Sequence, residues 1–141
     1  MTSDEQYRAA LAALALEIGV DAQALAVREE LVIDGIPVGL SRVQRAGGDA
    51  IQGACKIGLL PRQPSVALLR LLLQANTQGR ATGGATLGLQ HAADELVLAS
   101  VHPLDTPPAA LARGCRTLVE VAAVWAAAVH QPLPVAATAA A

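Results

Sequence analysis

Tyr7, Leu11, Leu14 and Ile18 recur at intervals of three and four with alanines between them, a period that predicts a helix, and Gly19 ends it. Thr2, Ser3 and Asp4 are candidate N-caps, and Ser3 with Gln6 fits a capping box. From Val27 the period changes. Short apolar runs, REELVI, IPVGLSRV and AIQGACKIGLL, are separated by Asp34-Gly35 and by Ala46-Gly47-Gly48-Asp49, which predicts three antiparallel strands. Pro37 cannot donate to a ladder, so it should mark a strand start or an exposed edge. In the third strand Ile51, Cys55, Ile57 and Leu59 fall on one face and Gln52 and Lys56 on the other, the alternation of a sheet buried on one side.

Pro61 and Pro64 end that strand, and Ser65 can cap a helix over VALLRLLLQAN. Leu68, Leu69, Leu72 and Leu73 lie on one side of it and Leu71 off that side. This apolar width exceeds what one core contact requires and points to a second burial partner, such as another subunit. ATLGLQ and DELVLASVHPL read as two further strands. Thr106-Pro107-Pro108 opens a last helix over about Ala109–Val129, with Leu111, Cys115, Leu118, Ala122, Trp125 and Val129 inward and Arg113, Arg116 and Glu120 outward. The expected order is helix, three strands, helix, two strands, helix: an α+β fold with an antiparallel twisted sheet of about five strands and three helices. Residues 1–130 form one domain in this reading, and the Pro/Ala-rich segment 131–141 is a tail.

Composition narrows the function. Hydrophobic residues make up 53% of the 141 residues and charged ones 16%, enough to build a core, but with no Phe, one Trp and one Tyr that core must be aliphatic. Net charge is -2 without a basic stripe or stacking aromatics, which argues against nucleic acid. The acids Asp4 and Glu5 stand where a secretory signal carries positive charge, and the apolar run near 121–129 falls short of the ~20 residues that span a bilayer. A cytoplasmic location without membrane association is expected. Cys55 and Cys115 lack metal-ligand spacing and read as reduced buried thiols. Lys56 points away from Cys55 in a strand, and His91, His102 and His130 are scattered, so no nucleophile and base, metal site or cofactor site is expected.

The glycine-rich stretch QGRATGGATLGLQ (78–90) comes within one residue of a phosphate-binding loop, since Gly79 is followed after four residues by Gly84, Ala85 and Thr86. Its context is inverted: it follows a helix and precedes a strand, and Ala85 replaces the lysine that would reach a phosphate. The simpler reading makes Gly79 the left-handed end of the helix and Gly83-Gly84 a turn. Gly88 inside a strand then suggests a close backbone approach.

An apolar helix ending LLQANTQGRATGGATLGL, a strand ELVLASVHPL and a helix ending VAAVWAAAV together resemble the small chaperones of bacterial type III secretion typified by the chaperone of the Tir effector (CesT-like). The resemblance is best from about Pro61 to Val129. It implies a homodimer without enzymatic activity that holds the N-terminal part of one or more secreted effectors extended and export-competent, with the export ATPase as a further possible partner. It places the dimer interface on the second helix and the strand after the glycine turn, at Leu68, Leu71, Leu72, Ala75, Thr86, Leu87, Gly88 and Leu89. It places effector contacts on the first helix and first strands, where Leu11, Leu14, Leu31, Ile33, Val38 and Leu40 are the candidates and an ordinary core role is the alternative at each. An extended partner could add a strand to a free sheet edge. The competing reading is a generic dimeric α+β adaptor or sensor module that binds a folded partner or a small ligand.

Overall fold

The computed structural model describes residues 1–90 and 92–130; the 131–141 segment and His91 lie outside the described residues. The elements run α1 (Ser3–Ile18), α2 (Ala22–Arg28), β1 (Glu30–Ile33), β2 (Ile36–Val43), β3 (Ala50–Leu59), α3 (Val66–Gln78), β4 (Thr86–Gln90), β5 (Glu95–Pro103) and α4 (Pro108–His130). All five strands are antiparallel, in the order β1-β2-β3-β5-β4. α1 and α4 cover one face of the sheet and close a single aliphatic core over it.

The fold has one helix more than the sequence reading expected. α2 is only seven residues long and buries a single side chain, Leu25, so it carries no periodic signature. Its start is nevertheless written in the sequence, because the Asp21 carboxylate accepts from the Ala24 N–H at 3.1 Å. At α1 the cap is Thr2, not Ser3: the Thr2 hydroxyl accepts from the Glu5 N–H at 3.1 Å. Gly19 ends α1 in a left-handed conformation, φ 88°, and donates to the Ala15 carbonyl.

β3 departs from simple alternation. Lys56 pairs with Val97 and Gly58 with Leu96, which leaves Ile57 as the extra residue of a β-bulge. The bulge shifts the phase by one, so Leu59, expected on the buried face, is 62% exposed, and Leu60 packs on the core in its place. Pro37 stands at the start of β2, beyond the region paired with β3.

The glycine-rich stretch is a docked turn. Gly79 ends α3 with φ 71°, and Gly83 and Gly84 follow with φ 61° and 85°. Gly83 faces Val121 and Thr117 of α4, and the Trp125 indole N–H donates to the Ala81 carbonyl at 2.8 Å. Thr82 is buried and donates to the Gly79 carbonyl. α4 therefore fixes the path by which the chain leaves α3 and enters β4. Gly88 does not mark a close approach as expected: a side chain there would meet nothing, because the residue opens on the uncovered face of the sheet.

Candidate partner-binding site

Strand β1 is one edge of the sheet, and its hydrogen-bonding phase follows from one contact: the Leu40 N–H donates to the Glu29 carbonyl at 2.8 Å. In an antiparallel ladder the bonded pairs alternate, so Leu31 and Val38 bond across, while the N–H and C=O groups of Glu30 and Val32 point away from the sheet. Pro37 faces Val32 at a non-bonded position, where its missing N–H costs nothing. The start of β1 is held in place from two sides. Glu29 ends α2 at φ 50° and donates its N–H to the Leu25 carbonyl, and its carboxylate accepts from the Tyr7 hydroxyl of α1. Burial first, and then this hydrogen bond, raise the Tyr7 phenol above its ordinary range.

Beside that edge the uncovered sheet face forms a groove of about 670 Å³. Register pairs place Glu30, Gly39, Ala54, Ala99 and Thr86 in one row across all five strands. The middle of that row is Gly and Ala, so the groove has a floor almost without side chains, flanked by Val97 and Val101. An antiparallel sheet with one face in water usually carries polar residues there. The outward residues here are instead largely small and apolar, as suits a second layer of protein.

Helix α3 offers a second surface. Leu68, Leu72 and Ala75 are buried against the protomer's own core, whereas Val66, Leu69 and Leu73, at i, i+3 and i+7, form a separate exposed stripe. Leu69 and Leu73 are thus not on the core side with Leu68 and Leu72, where the sequence reading had put them. Of the expected dimer residues, Leu68, Leu72, Ala75 and Leu87 are buried within the chain, and Leu71, Thr86, Gly88 and Leu89 are exposed. Val66 was overlooked because it directly follows the cap Ser65; spacing to Leu69 and Leu73 is the signal that would have found it.

The effector-contact candidates fall elsewhere. Leu11, Leu14, Leu31, Val38 and Leu40 are core residues with at most 4% exposure, and Ile33 is half-buried against the same core. The physical reason is that α1 and α4 close over that face of the sheet, so the apolar residues of β1 and β2 are already covered. On β1 the apolar side chain turned outward is Val32, 56% exposed, which the sequence reading missed because REELVI does not tell which of its alternating residues faces out.

No group of three or more His, Cys, Asp or Glu that could hold a metal ion comes together among the described residues. Burial pushes the Cys55 and Cys115 thiols up to about 11, which leaves little thiolate at neutral pH. Among the described residues no helix is long and apolar enough to cross a membrane.

The family model of the Tir chaperone protein (CesT) family matches residues 9–126. Among solved structures, a chain of the heterodimeric complex ExoU–SpcU from the type III secretion system of Pseudomonas aeruginosa is similar in fold. It has a TM-score of 0.59 at 19% identity, covering 72% of this chain and 81% of that one. No curated protein matches the sequence.

Proposed function

Because the chain belongs to the Tir chaperone protein (CesT) family, we propose that it is a cytoplasmic chaperone of type III secretion that binds the N-terminal region of one or more secreted effectors and keeps it extended. The observation that carries the binding mode is the open edge of β1. Glu30 and Val32 present unpaired N–H and C=O groups beside the apolar groove, so an extended client segment gains main-chain bonds at the edge and side-chain contacts on the sheet face. An extended segment held in this way cannot fold, which is the state an export channel needs. No catalytic role is assigned.

The chaperone acts as a homodimer in this reading, joined through the Val66, Leu69 and Leu73 stripe of α3. These three are exposed aliphatics on one side of the helix that the protomer's own core leaves uncovered. A role for the export ATPase as a further partner belongs to the same reading.

The test is a pull-down from the native bacterial cytosol with the tagged protein, followed by limited proteolysis of what is bound. Capture of a secreted protein through a protected segment near its N-terminus is the expected result. Capture of folded cytosolic proteins alone would favour the adaptor or sensor reading.

A further inference from the structure

The sheet has two edges, β1 and β4, and the structure treats them differently. We infer that the side-chain amide of Asn76 seals the β4 edge against strand addition, so that β1 is the edge at which an incoming strand pairs. Asn76 lies on α3, just beside the buried stripe, and reaches the middle of β4. Its Oδ1 accepts from the Leu87 N–H at 2.7 Å and its Nδ2 donates to the Leu87 carbonyl at 2.9 Å. One carboxamide thereby makes both bonds that a residue of a neighbouring strand would make. The orientation of the amide is fixed by chemistry, because only the oxygen can accept and only the nitrogen can donate.

The rest of the edge agrees. Residues at positions 85, 87 and 89 direct their backbone groups away from β5, as the bonds of Leu87 to Asn76 show for the phase. The Ala85 N–H is already taken by the Thr82 carbonyl at 3.0 Å. Among the described residues Leu89 is therefore the single outward position of β4 whose N–H has no such internal partner, too little for a strand to grip. On β1, by contrast, Glu30 and Val32 are both open. Exposed edges are sites of unwanted pairing, and natural sheets block them with a bulge, a charge or a covering element. Here the blocking group is a neutral amide delivered by a helix, which also excludes a continuous sheet running from one protomer's β4 into another's.

Closure of β4 stands on these distances alone, whereas the statement that the client strand takes β1 rests on the chaperone reading. The experiment therefore uses no client. Amide hydrogen exchange on the wild-type protein is expected to show Leu87 protected and Leu89 exchanging about tenfold faster or more, although both point outward. In Asn76→Ala, Leu87 should exchange about tenfold faster, and light scattering should show mass rising with concentration as the opened edge pairs with other copies. Asn76→Asp keeps the acceptor but sets a charge on the edge, and should stay at the wild-type mass. Equal exchange at Leu87 and Leu89 in the wild type would overturn the inference. So would an Asn76→Ala protein with a cooperative melt and wild-type mass at every concentration.

Discussion

A methyl group added at Gly114 would stand 2.7 Å from Cε1 and 2.9 Å from Nε2 of His102, so the imidazole of β5 lies in a niche that only glycine leaves open in α4. Gly114→Ala is expected to destabilise the fold by about 1–3 kcal/mol, by overpacking rather than by any loss of helix propensity. Adding His102→Ala should recover most of that loss in a double-mutant cycle followed by urea unfolding. The same niche sets a pH dependence. Burial lowers the His102 pKa from its ordinary 6.5, so the unfolded chain takes up the proton first. The stability contributed by the neutral ring is full above the unfolded value and is lost as pH falls through 6.5 toward the folded value. The urea midpoint of the wild type should drop between pH 7.5 and 5.5 by more than that of His102→Gln, and equal drops would remove His102 as the cause. Residue-scale features of this kind divide by range. Gly79 as a helix end was legible because it is local, while the meeting of Gly114 with His102, 12 residues away and in another layer, leaves no pattern in the chain.

At the scale of elements, α3 carries two apolar stripes with different duties, and substitution separates them. Leu73→Glu, at a position 68% exposed, is expected to leave the protomer folded and shift the mass in solution from dimer to monomer. Leu72→Glu places a charge in the core and should cost several kcal/mol of stability. If Leu73→Glu keeps the dimeric mass at micromolar concentration, the stripe is not the interface. The sequence showed that α3 is wider in apolar surface than one contact needs, but it grouped Leu69 with Leu68, because periodicity locates a stripe only to within a residue. α2 was invisible to the same method, being two turns long with one buried side chain. The bulge at Ile57 was also unreadable: β-phase is carried from residue to residue, and a single insertion reverses it without any change in composition.

For the molecule as a whole, the order of elements apart from α2 and the five-stranded antiparallel sheet were legible, since strong helical periods and glycine or proline breaks delimit most of them. Which face of the sheet is covered was not. That depends on where α1 and α4 settle, and it moved Leu11, Leu14, Leu31, Val38 and Leu40 into the core while it left Val32 outside. The functional asymmetry of the two edges is therefore a property of the assembled fold, and Val32→Pro tests it. Proline there removes an N–H that the sheet does not use, so the fold should keep its stability to within about 1 kcal/mol while affinity for a mapped client segment falls about tenfold or more. Unchanged affinity, measured by titration calorimetry, would move the client away from β1. Far from that edge sits Trp125, the one tryptophan of the chain, buried and bonded to the backbone of the glycine turn. This gives the protein a built-in optical reporter: its emission should be blue-shifted in the native state, stay so when a client occupies the sheet edge, and move to the red only when α4 and the turn part.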